Sequence, residues 1–166
     1  MKQRTILLFP RLEEIEQIQS LREKYDPLAK LIRPHITLVF PFEGPWSDAE
    51  LAAILERHCE NFSPFPLTLG GISLQEDPFG NYLFLNVLEG RGELSALHEA
   101  FYAREFRPFD AGVPYVPHMT IGKFSTAEQI SHAWNRSFLA FVVKFIQTNR
   151  RDFRAIPRRL FPGAGL

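Results

Sequence analysis

Apolar positions along this chain recur with two periods, and stretches of one period alternate with stretches of the other. Residues 3–9 form an Ile- and Leu-rich run of strand length, after which Leu12, Ile15, Ile18 and Leu21 fall at helical spacing within residues 11–25. The pattern next predicts a strand over about 33–42 and a helix opened by Ser47 or Asp48 that runs to about 62, with Leu51, Ile54 and Leu55 on one side. A strand over 66–75 follows. The same order then returns as strand 81–88, helix 92–106, strand 116–124, helix 125–137 and strand 138–148. Ser125-Thr126-Ala127-Glu128 supplies a capping-box pattern for the fourth helix. Strand-helix-strand-helix-strand thus occurs twice, and a final extended segment over about 153–161 has no counterpart in the first half. Such elements bury their apolar faces by packing helices on sheets. The expectation is a single domain over residues 1–166 made of two related lobes, about 1–75 and about 81–166, with a cleft between them.

The duplication carries chemistry. Pro34-His35-Ile36-Thr37 in the second predicted strand is matched by Pro117-His118-Met119-Thr120 in the corresponding strand of the second half. Side chains alternate faces along a strand, so His35 and Thr37 point one way while Ile36, Leu38 and Phe40 point the other; His118 and Thr120 repeat this against Met119 and Ile121. One His-x-Thr on a strand is usually only a half-polar face. If the two strands lie side by side, two copies at matching places of a duplication bring two titratable groups and two hydroxyl donors to one groove, which suits acid/base chemistry on a phosphate.

On these motifs, PHITLVFPF and PHMTIGKF, the chain resembles the 2H phosphoesterase superfamily, which includes LigT-like 2′-5′ RNA ligases and 2′,3′-cyclic nucleotide phosphodiesterases. The resemblance covers essentially the whole chain. It implies an α+β fold of two pseudo-symmetric lobes of antiparallel sheet with helices on the outer faces and a central cleft. It also implies that His35 and His118 are the catalytic pair and Thr37 and Thr120 their phosphate-binding partners. LigT-type proteins often carry Arg five residues after the second His; here that position is Lys123, which keeps the charge without the planar two-pronged contact. The implied substrate is RNA or a nucleotide bearing a 2′,3′-cyclic phosphate or a 2′-5′ linkage. The implied reaction is metal-independent hydrolysis, or its reversal as ligation, without a cofactor. A binding module that holds nucleotides or RNA in the same cleft without turnover is the alternative.

Further substrate contacts are expected from Lys123, from Arg33 just before the first motif, and from aromatic residues able to stack on a base. Among the aromatics, Phe84 shares a strand face with Tyr82 and Asn86, and Tyr115 precedes the second motif. His58, His98 and His132 fall in predicted helices and read as surface or packing residues. Gly70-Gly71 reads as a bulge or bend in a strand. Arg150, Arg151, Arg154, Arg158 and Arg159 make a local basic run, a solvated face or an RNA-backbone contact.

Composition bounds this picture. The chain has 166 residues, 45% of them hydrophobic, and its nineteen basic and nineteen acidic side chains cancel. Nothing global therefore points to coating nucleic acid or an anionic membrane, and phosphate affinity has to be local. Cys59 is the single cysteine and closes no internal disulfide, which fits a reducing compartment. The protein is expected to be a cytoplasmic monomer without membrane contact.

Overall fold

The structure is a computed structural model that describes residues 3–60, 62–77, 80–126, 128–130, 142–144 and 153–157. Strand β1 spans Gln3–Leu8, helix α1 Ile15–Tyr25, β2 Ile36–Glu43, α2 Asp48–Glu60, β3 Thr68–Asp77 and β4 Gly80–Glu89. Helix α3 spans Arg91–Tyr102, a 3₁₀ turn Arg107–Phe109, β5 His118–Phe124, β6 Val142–Lys144 and β7 Phe153–Pro157. Residues 128–130 are helical, residues 125 and 126 form a bend before them, and residues 127 and 131–137 of the expected fourth helix lie outside the described residues. Two helix starts differ from the expectation. Helix α1 starts at Ile15 rather than near residue 11. The fourth helix takes Thr126 rather than Ser125 as its cap, since the Gln129 N–H donates to Thr126 Oγ1 at 3.4 Å while Gln129 Oε1 accepts from Ser125 N–H at 3.0 Å. At α2 Ser47, one of the two expected caps, closes a capping box, with Glu50 Oε2 accepting from Ser47 N–H and Oγ and Glu50 N–H donating to Ser47 Oγ.

The fold is α+β. All strand pairings are antiparallel and give one seven-stranded sheet in the order β6-β3-β4-β5-β2-β1-β7. Its centre is a seam: β2 and β5, the two motif strands, pair at Ile36 and Met119. Strand β3, which closes the first repeat in sequence, pairs with β4 of the second, and β7 pairs with β1 of the first. The two outer neighbours are thus exchanged between repeats. One face of the sheet carries the main core, where fully buried Ile6, Leu8, Ile36, Leu38, Leu83, Leu85 and Met119 meet Ile18 of α1, Leu51 of α2 and Leu94, Leu97 and Phe101 of α3. Burying each such side chain is worth about 1.5–3 kcal/mol.

The ladder is interrupted alike on both sides of the seam. Between β1 and β2 the register jumps from Ile6↔Val39 to Leu7↔Thr37 and leaves Leu38 as an extra residue. Between β4 and β5 it jumps from Leu83↔Gly122 to Phe84↔Thr120 and leaves Ile121. Each bulge therefore sits directly after a motif threonine. Another irregularity falls at the glycine doublet in β3, where Gly71 adopts φ +67° and only glycine is comfortable.

Candidate active site

Pairing of Ile36 with Met119 sets the geometry. Both side chains are fully buried on the core side, so the flanking His35, Thr37, His118 and Thr120 emerge together on the opposite face, where all four are partly exposed. In antiparallel register His35 then lies beside Thr120 and Thr37 beside His118. The two histidines are diagonal neighbours, for which strand geometry sets a separation of roughly 7–8 Å. A pseudo-twofold axis passes between Ile36 and Met119.

Each imidazole is held in the same way. His35 Nδ1 lies 2.8 Å from the carbonyl of Arg33, and His118 Nδ1 lies 2.7 Å from that of Val116. A carbonyl only accepts, so Nδ1 carries the proton in both rings and Nε2 is the nitrogen that titrates. The intervening Pro34 and Pro117 explain the shared geometry, because a residue before proline is driven to extended backbone. Both rings retain some exposure, yet protein packs closely enough around them that desolvation dominates. His35 is lowered to about 4, chiefly by burial and further by the positive charge of Arg22 and of His118, against the opposing hydrogen bond to Arg33 and the charge of Asp26. His118 is lowered as well, again by burial against its carbonyl bond.

What surrounds each histidine differs. The His118 ring is stacked flat on Phe84, with centroids 3.5 Å apart and planes 20° apart, and Phe84 in turn stacks on Tyr82 at 6.0 Å. Lys123 Nζ sits 5.1 Å from the centre of the Tyr82 ring. Strict alternation along β5 would turn Lys123 to the core with Met119; the bulge at Ile121 reverses its direction and puts it opposite Tyr82, on the site face. His35 instead has Phe9 beside it, tilted, at 6.0 Å, and the Arg33 guanidinium lies 4.8 Å over the same Phe9 ring. The loop leading to His35 is fixed by a buried ion pair: Arg22 donates to Asp26 Oδ2 at 2.6 and 2.9 Å and to the Ile32 carbonyl at 2.8 Å. Breaking such a pair by removing one partner typically costs about 3–5 kcal/mol.

Among the expected contact residues, Phe84 thus supports His118, and Lys123 and Arg33 flank the motif face on opposite sides of the seam. Tyr115 packs behind β2: its hydroxyl donates to the Thr37 carbonyl at 2.9 Å, and its ring stacks on His98 at 3.9 Å. Burial raises the Tyr115 hydroxyl far above the usual range and keeps it a donor. His98 Nδ1–H donates to the Leu38 carbonyl at 2.7 Å, and Tyr102 Oη accepts from Phe40 N–H at 3.1 Å. Three side chains so satisfy β2 backbone groups beyond the seam. Sequence reasoning left His98 and Tyr102 out of this role because nothing local to them names a partner some sixty residues away. His58 pairs with Glu105 at 2.6 Å and packs on Phe101, a structural role; His132 lies outside the described residues. Among the described residues no group of three or more His, Cys, Asp or Glu side chains is assembled, and no helix is long and apolar enough to cross a membrane.

Comparison with known proteins agrees with this architecture. The family model for the 2′-5′ RNA ligase superfamily matches residues 10–154. A Bacillus pumilus protein is 34% identical over 122 residues, covering 71% of this chain and 68% of its own length. Similar proteins come from Bacillus cytotoxicus, 34% identical over 74% of this chain and 71% of its own, and from Halalkalibacterium halodurans, 34% identical over 76% and 72%. All three carry the name "Putative phosphoesterase". With both motifs on one face of an antiparallel sheet and a family match over most of its length, the chain belongs to the 2′-5′ RNA ligase superfamily, the 2H phosphoesterases.

Proposed function

We propose that the protein cleaves 2′,3′-cyclic phosphates or 2′-5′ phosphodiester linkages of RNA or nucleotides by acid/base catalysis between His35 and His118. The reading rests above all on the two imidazoles, each fixed by Nδ1–H to the carbonyl two residues before it and each offering Nε2 for proton transfer. In hydrolysis, neutral Nε2 of one histidine takes a proton from the attacking water as its oxygen bonds to phosphorus. Protonated Nε2 of the other delivers a proton to the departing ribose oxygen. The Thr37 and Thr120 hydroxyls donate to the non-bridging oxygens, where charge concentrates. Reversal joins a ribose hydroxyl to a cyclic phosphate with the same groups. Both histidines are predominantly neutral in the free protein at pH 7, so the acid gains its proton when the anionic phosphate enters and raises its affinity for one. The test is incubation with nucleoside 2′,3′-cyclic phosphates and 2′-5′-linked dinucleotides, with products resolved as 2′- or 3′-phosphates. Turnover that persists in EDTA is the expected result; abolition by the chelator with rescue by a divalent ion overturns the two-histidine mechanism.

A further inference from the structure

A cavity of about 500 Å³ opens beside His35, lined by Phe9, Pro10, Arg11, Leu12, Ile15, Arg33 and Arg154. Its volume is within the range of about 300–1,000 Å³ typical of ligand sites. Three arginines from three distant parts of the chain converge on it: Arg11 from the connection after β1, Arg33 from the approach to β2, and Arg154 from β7. Among the described residues no acidic side chain lines it, although Glu13 and Glu14 precede Ile15 in the chain. The placement follows from the ladder. Arg154 pairs with Leu7 and Leu7 with Thr37, so Arg154 stands on the same face of the sheet as the motif side chains, two strands out from the seam. Phe9 is the common wall: its ring lies beside that of His35, carries the Arg33 guanidinium over it and lines the cavity.

We infer that this cavity is a second phosphate subsite, which takes the phosphate neighbouring the scissile one in a nucleic-acid strand, so that the substrate is an oligonucleotide end in preference to a lone cyclic mononucleotide. The inference rests on the phosphoesterase reading above. Guanidinium forks match phosphate oxygens two at a time, and three of them around an apolar floor exceed what a single phosphate between Thr37 and Thr120 requires. Among the described residues the opposite side of the site shows a different arrangement: there Phe84 and Tyr82 form a ring ladder with Lys123 as its cation. The strand therefore has a direction, with its adjoining phosphate on the His35 side.

The experiment compares uridine 2′,3′-cyclic phosphate, its 5′-phosphorylated form and the dinucleotide UpU ending in a 2′,3′-cyclic phosphate, on the wild type and on Arg11→Ala/Arg154→Ala. Both arginines are exposed, and Arg11→Lys/Arg154→Lys serves as the conservative control. The Ala variant is expected to lose about tenfold to a hundredfold in kcat/KM on the dinucleotide, through KM, as charged contacts are lost. Its salt slope should fall by about one for the phosphate contacts removed, with turnover of the unphosphorylated mononucleotide within about twofold of wild type. Equal losses on both substrates, or none on the dinucleotide, overturn the subsite. A loss confined to the 5′-phosphorylated mononucleotide overturns the oligonucleotide assignment. Should the wild type turn over no substrate, it is the phosphoesterase reading that fails. Anisotropy of a labelled 3′-phosphorylated oligonucleotide then decides the subsite alone: weaker binding to the Ala variant supports it, unchanged binding overturns it.

Discussion

The His35 and His118 sides of the site share a motif, a proline before the histidine, a carbonyl on Nδ1 and a bulge after the threonine, yet their surroundings have diverged. His118 lies face to face on Phe84, whereas His35 meets Phe9 obliquely and leans on a buried Arg22–Asp26 pair. What the two sides have in common is what moving a proton at a fixed point demands. Where they differ is in what holds the ring and what else the neighbourhood can bind, so duplication has kept the chemistry and released the rim.

The largest expected effect tests what is shared. His35→Ala and His118→Ala should each lower kcat by about two to four orders of magnitude with the fold intact, as measured by turnover beside circular dichroism. Thr37→Ala and Thr120→Ala should lose about tenfold to a thousandfold. Near-normal turnover in either histidine variant would break the symmetry. A smaller effect separates the two sides. Phe84→Leu keeps apolar bulk but removes the parallel ring, and should lower kcat by about tenfold and displace the His118 limb of the pH profile, since small misplacements of a catalytic group are costly. Phe9→Leu should change kcat less; the reverse order would show that oblique contact positions better than stacking.

The smallest effect is in pH. A folded pKa of about 4 for His35 against 6.5 unfolded means that the unfolded chain binds more protons between those values. Stability should therefore fall as pH drops from about 6.5 to about 4 and level off below, and His35→Gln should flatten that slope in urea titrations followed by fluorescence. The alkaline limb of kcat/KM, which reports the free protein, should lie on the acid side of an ordinary imidazole, and that of kcat at higher pH, with phosphate bound.

Much of this site could be read from period and spacing. Alternation around Ile36 and Met119 is enough to put His35, Thr37, His118 and Thr120 on one surface, and helical spacing finds Leu51, Ile54 and Leu55 on the buried side of α2. Long-range pairing is what escapes such reading. The direction of Lys123 depends on a bulge at Ile121 that appears only once β5 is laid against β4. That Phe84 covers His118, rather than offering its face to a base, is decided by a neighbour 34 residues on that the sheet brings alongside. Arg11, Arg33 and Arg154 are ordinary surface arginines until three separate segments close around one cavity.

The exchange of outer strands also dictates an order of assembly. Strands β3 and β4 are consecutive and β5 joins them across one helix, so the His118 side closes from local contacts as soon as its chain is available. Strand β1, although made first, pairs with β7 and must wait for residues 153–157 before its second edge is covered. Of the described strands, β7 is the last to be synthesised, so the outer edge of β1, on the side of the earliest histidine in the chain, is the last to be covered.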